Sequence, residues 1–189
     1  MFRQKGSEYF DPDEAAERIL AANPALRLEQ ANGAAWNEGK RLLERAIDKR
    51  CDFAFETTLG GRTIAALLEK ALSVGIEVRV WDVGLSSPEL HIARVRSRVE
   101  KGGHDIPEEK IRERYDRSRW NLIRLLPRLT ELLVYDNSEE ADPHSGSAPE
   151  LKKILQTIKG EIVASCDLMK APDWTKPILM AALKSSRKK

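Results

Sequence analysis

The stretch IEVRVWDVGL (76–85), followed by SSPELHIARVRSRVEKGGH (86–104) and DIPEEKIRERY (105–115), decides the fold. Its first ten residues are rich in β-branched and aromatic side chains and read as a strand. Ser87-Pro88-Glu89 then predicts a helix start: a hydroxyl cap, proline at the first helical position, and an acid near the positive end of the helix dipole. That helix runs to about Glu100 and stops at Gly102-Gly103. Pro107 opens another, again followed by acids, Glu108 and Glu109, which continues until Pro127 interrupts it.

Reading outward, short apolar strands alternate with longer amphipathic helices. Residues 34–47 place Ala35, Gly39, Leu42, Leu43, Ala46 and Ile47 on one helical face. CDFAFE (51–56) is a short apolar run bounded by charge and glycine, and reads as a buried strand. A helix follows at 63–73, with Gly75 where a C-terminal cap belongs. ELLVYD (131–136) is a further strand, and residues 137–150 form a polar, flexible Gly- and Pro-containing loop. The tail reads as a short helix (151–158), a strand EIVAS (161–165) and a last helix from about Pro177. Strands separated by helices predict an α/β fold with right-handed crossovers, a parallel sheet and helices on both of its faces. In such sheets the ligand lies at the carboxyl ends of the strands. Asp11 and Asp13, residues 56–62, residues 84–86 and residues 136–138 all stand just past strands, and as turn residues they have a purely structural explanation too.

The chain has 189 residues, 41% hydrophobic and 33% charged, which fits one domain spanning 1–189 with a buried core and excludes collagen-like or broadly disordered classes. No apolar run reaches the roughly 18–20 residues of a membrane span, and the first residues carry no signal-peptide pattern. Cys51 and Cys166 make neither a disulfide framework nor a zinc site, so a cytoplasmic chain is expected. A net charge of +2 is far from that of a dedicated nucleic-acid binder. The basic residues between Arg94 and Arg124 are interleaved with acids, as on a solvated helix face. Neither nucleic acid nor a membrane is expected as a partner.

FAFETTLGGR (53–62), VGLSSPELHIARVRSRVEKGGHDIPEEKIRERY (83–115) and YDNS (135–138) together resemble the zeta-toxin-like kinases, a branch of the P-loop kinases that includes UDP-N-acetylglucosamine kinases. The resemblance runs from roughly Phe10 to Ser138. It implies a P-loop kinase-like parallel sheet, ATP and Mg2+ as cofactors, and phosphoryl transfer to a hydroxyl of a sugar-nucleotide. It further implies a helical lid over residues 87–124 and an antitoxin-like protein as a conceivable partner.

Carried over by position, Asp13 matches the acid that accepts the acceptor's proton; Asp11 is a rival, and either acid could simply cap a helix. Glu56, Thr57 and Thr58 match the acceptor-binding E-T-T, with Arg62 in the same loop as a partner for Glu56 or a phosphate contact. A glutamate paired for structure alone is the alternative. Arg98 and Arg114 match lid arginines that neutralise phosphoryl charge, with Arg94 next in line. Arg96, Arg112 and Arg119 are expected to be solvated. His104 lies in the hinge between the lid helices. Asn137 matches a position near the nucleotide base, and is equally an ordinary turn residue.

The sequence departs from the family at one place. No G-x-x-x-x-G-K-[ST] occurs, and Gly33 to Gly39-Lys40 has the wrong spacing inside an amphipathic helix. MFRQKGSEYF resembles the end of the family's first helix. The expectation is an N-terminally incomplete kinase domain, lacking the central first strand and the phosphate loop. The gap between strands 51–56 and 77–83 would be filled by EIVAS, closed by the two halves, or covered by a second copy. A non-catalytic remnant that binds a nucleotide-sugar or a protein is the alternative function.

Overall fold

The computed structural model describes residues 8–103, 105–139 and 150–187. The chain divides into two compact units, residues 1–58 and 59–189.

In the first unit, β1 (Glu8–Phe10) passes through Asp11 into α1 (Pro12–Ala22); α2 (Leu28–Lys49) and β2 (Phe53–Phe55) follow. β1 and β2 pair in parallel, with Phe10 opposite Phe55. Phe10 is packed with Ala15, Ala16, Ala31, Ala35 and Leu42, flanked by Ile19, Leu20, Phe53 and Phe55. Small alanines let α1 and α2 approach closely. At Gly39 a methyl group would come within 2.6 Å of the Phe10 ring, so only glycine lets that ring approach α2 so closely. The apolar face expected over 34–47 is the buried one, and the helix starts earlier because the Gln30 side chain accepts from the Arg27 backbone N–H at 2.9 Å.

In the second unit, α3 (Arg62–Ser73) precedes β3 (Arg79–Gly84), α4 (Pro88–Glu100), α5 (Glu108–Leu125), β4 (Glu131–Asp136), β5 (Lys152–Ile158), β6 (Glu161–Ser165) and α6 (Lys176–Ser186). The sheet order is β3-β4-β5-β6. β3 and β4 are parallel, Arg79 opposite Glu131 and Gly84 opposite Asp136. Leu122, Leu125, Leu126, Leu129, Leu132, Val134, Leu155 and Ile178 are fully buried and form the core. Ser87 caps α4 by accepting from the Leu90 N–H at 3.1 Å. α4 ends in a Schellman turn: Gly102 has φ 85°, its N–H donates to Val99 O, and Gly103 N–H donates to Arg98 O, each at 2.9 Å. A methyl at Gly103 would meet the Arg98 carbonyl oxygen at 2.9 Å, which accounts for the glycine pair.

Five expectations are corrected. Residues 151–158 form no helix: they are largely β5, antiparallel to β4. The sheet is mixed, and strands 51–56, 77–83 and 131–135 do not share it, because β2 pairs with β1 and β3 with β4. EIVAS does not enter a gap beside β3. It pairs with β5 at the opposite edge through a two-residue turn, Lys159 at φ 50° and Gly160 at φ 79°. Glu8–Phe10 is the strand expected before Asp11, so the reading of MFRQKGSEYF as a helix end fails for its last three residues, where Phe10 carries the core of the first unit. One face of the larger sheet is also less covered than expected, with Trp81 and Val83 about half exposed.

Candidate functional site

Parallel pairing of β1 and β2 brings their exits to one end of the small sheet. Asp11 and Asp13 follow β1 there, and Glu56 follows β2, its N–H bonded to Phe10 O at 3.1 Å. The two acids after β1 have different jobs. Asp11 is the N-cap of α1, and its Oδ1 accepts from the N–H of Asp13 at 2.8 Å and of Glu14 at 3.3 Å. Asp13 lies in the first turn with its side chain exposed, leaving its carboxylate outside the cap. The hydroxyl of Tyr9 donates to Glu56 Oε1. Thr57 and Thr58 are exposed. Tyr9 escaped the sequence reading, although its place two residues before Asp11 on the same short strand puts it beside Glu56.

The second unit carries the basic residues. Arg62 is the first residue of α3, behind Gly61, and is exposed. Arg98 lies in the last turn of α4 and Arg114 in α5, both exposed. Their helices pack as a pair fastened by Arg96 with Glu108 and by Arg112 with Glu89 at 2.6 Å. That pairing holds the Glu89 carboxyl below its ordinary range, chiefly through the hydrogen bond from Arg112. Arg94 donates to the Glu139 carbonyl at 3.0 Å. Arg96 and Arg112 therefore tie the two helices together rather than serving only as solvated charge. Arg119 is not solvated: its side chain is 19% exposed, pairs with Asp116 and stacks 4.1 Å from the Tyr115 ring centre. His104 lies outside the described residues, as do residues 140–149 of the expected loop.

Three groupings here were missed in the sequence. Tyr115 donates to the Leu85 carbonyl at 3.1 Å and meets the His91 ring edge-on, joining α4, α5 and the exit of β3. Asp82, on β3, is pushed up to about 6 by burial, against the pull of Arg119. Asn121 of α5 donates to the carbonyls of Leu59 at 2.7 Å and Gly61 at 3.2 Å. At the exit of β4, Asn137 N–H donates to Gly84 O at 2.9 Å, while the buried Asp136 accepts from Ser138 and from Trp174. No group of three His, Cys, Asp or Glu residues suited to a metal forms among the described residues, and no described helix is long and apolar enough to cross a membrane.

The sequence family described as Zeta toxin matches residues 3–146, well over half of the chain, so this chain belongs to the zeta toxin family. That family is a kinase-like, P-loop nucleotide-binding one, and the α/β architecture of helices and mixed sheets fits it. A protein of Haemophilus influenzae (strain ATCC 51907 / DSM 11121 / KW20 / Rd), described as an uncharacterized protein, is 32% identical over 105 residues, covering 56% of this chain and 72% of that relative. No solved structure matches. The elements β5, β6 and α6 lie beyond the family match.

Proposed function

We propose that this chain carries the acceptor-binding and phosphate-neutralising part of a zeta-toxin-type phosphotransferase, with a hydroxyl of a sugar-nucleotide such as UDP-N-acetylglucosamine as acceptor. Asp13 takes the hydroxyl proton, Glu56, Thr57, Thr58 and Arg62 hold the acceptor, and Arg98 and Arg114 neutralise phosphate charge. Asn137 stands on the nucleotide side. The observation that carries this reading is the division of labour at the exits of β1 and β2. Asp11 is consumed as a helix cap, Asp13 keeps an exposed carboxylate, and Tyr9 steadies Glu56 at the same end of the sheet.

The family implies ATP and Mg2+, which supply the transferable phosphoryl group and neutralise its charge. The residues of this chain do not fit them: the sequence has no G-x-x-x-x-G-K-[ST] to cradle the phosphates. What the chain can do unaided is bind the acceptor. That same absence favours a second reading, a non-catalytic family member that binds a nucleotide-sugar or an antitoxin-like protein.

Titration calorimetry with UDP-N-acetylglucosamine, paired with an ATP-consumption assay on the chain supplied with a phosphate-loop segment, separates the readings. Binding weakened by Glu56→Gln, together with ATP consumption abolished by Asp13→Asn, supports the enzyme. Binding without consumption supports the second reading. An absence of binding removes the sugar-nucleotide from both.

A further inference from the structure

The segment Leu59-Gly60-Gly61 is held to α5 at three points. Asn121 reaches two of its carbonyls, those of Leu59 and Gly61, with one side-chain nitrogen. Between them, Gly60 lies directly on Arg114: a methyl there would stand 2.8 Å from Arg114 Cγ, 2.9 Å from Cβ and 3.3 Å from Cα. Arg114 and Asn121 are seven residues apart, two turns of helix, and so share one face of α5. Leu59 is buried and has φ 52°, a left-handed conformation that a branched L-residue adopts only when its surroundings impose it. Asn121 holds the Leu59 carbonyl and the Leu59 side chain is packed away from solvent, and both favour that conformation. α3 begins immediately after, at Arg62, with Gly61 as an N-cap that offers no side-chain bond. The carbonyls of Leu59 and Gly61 therefore take their direction from α5, and so does the first turn of α3.

We infer that Asn121 is a positioning residue: it locks Leu59–Gly61 onto the Arg114 face of α5 and thereby sets where Arg62 stands relative to Arg114. The two exposed arginines then form a pair of fixed spacing. Anion groups of a ligand meet that pair without first having to order the loop, which is how preorganisation raises affinity. The affinity part of this inference rests on the acceptor-binding reading above; the locking part does not. Asn121 touches no ligand in this scheme and acts only through the two carbonyls.

The test uses the full chain and two readouts. In hydrogen–deuterium exchange, Asn121→Ala and the shape-preserving Asn121→Asp, which lacks the donor, should speed exchange of the amides of residues 60–65 on the order of tenfold, with β4 and β5 unchanged. Gly60→Ala, which wedges the loop off Arg114 by a different route, should give the same local pattern. Exchange unchanged at 60–65, or raised evenly across the chain, overturns the inference. In the second readout, UDP-N-acetylglucosamine affinity should fall on the order of tenfold in Asn121→Ala, as in Arg62→Ala and Arg114→Ala. Loss in the arginine variants with full affinity in Asn121→Ala overturns the positioning role. If the unmodified chain binds no UDP-N-acetylglucosamine, the sugar-nucleotide reading falls, and the exchange pattern alone decides whether Asn121 locks the loop.

Discussion

The indole N–H of Trp174 donates to Oδ1 of Asp136 at 2.9 Å, and the same indole ring fills the space above Gly84. Asp136 and Gly84 are the last residues of β4 and β3 and stand opposite one another in the parallel ladder. A tryptophan from just before α6 therefore seals the carboxyl ends of the two parallel strands. It also gives a hydrogen bond to a carboxylate that is only 5% exposed and that accepts from Ser138 as well.

Trp174→Phe should keep most of the ring contact and lose the hydrogen bond, lowering unfolding stability by about 1–3 kcal/mol. Gly84→Ala should cost about as much by overlap with the ring. Denaturant midpoints measure both. The idea that Trp174 anchors the C-terminal segment fails if Trp174→Phe unfolds at the same midpoint as the parent.

Asp82 should make stability fall as the solution is made less acidic. Burial raises its pKa from 3.8 to about 6, so the folded chain binds this proton more tightly than the unfolded chain does. Its neutral form is tolerated fully below about pH 4, and that tolerance is lost as pH rises through about 6. Asp82→Asn should match the parent near pH 4 and exceed it above pH 6. Urea midpoints at intervals from pH 4 to 8 would show the gap opening in that window; a constant gap would assign the burial no electrostatic consequence.

Asp11 and Asp13 should separate cleanly. Asp11→Ala removes the α1 cap and should cost about 0.5–2 kcal/mol. Asp13→Asn should stay within about 0.5 kcal/mol of the parent, since its side chain is exposed and makes no cap bond. Thermal unfolding measures this directly, and an equal loss in both variants would dissolve the distinction on which the assignment of Asp13 rests.

The Lys159-Gly160 turn is of the kind that favours Asn-Gly, because both residues have positive φ. Lys159→Asn should raise stability by roughly 0.5 kcal/mol, and Gly160→Val should lower it by more than 1 kcal/mol. Chemical denaturation of the pair checks the sign of each.

The helices α4 and α5, the start of α4 at Ser87-Pro88 and its stop at Gly102-Gly103, and the strand 131–136 were legible in the sequence, because caps, glycine turns and apolar period are local codes. Residues 151–158 were not. Ile154, Leu155 and Thr157 suit a helix or a strand equally, and only the open edge of β4, with the Lys159-Gly160 turn beyond it, made them β5. The same division holds for the candidate site. The family resemblance singled out Asp13, Glu56, Arg62, Arg98 and Arg114, but not which acid serves as the cap, nor that Arg119 is drawn in over Tyr115 and towards Asp82. Nor could it show that Asn121 holds a loop 60 residues away. A helix cap or a turn is decided within a few residues by backbone sterics and one hydrogen bond, so the sequence by itself determined those features. Strand partners, the sealing of Asp136 by Trp174 and the grip of Asn121 on Leu59 and Gly61 join residues far apart in the chain, and only the tertiary structure, through burial and the demand that buried polar groups be paired, decided them.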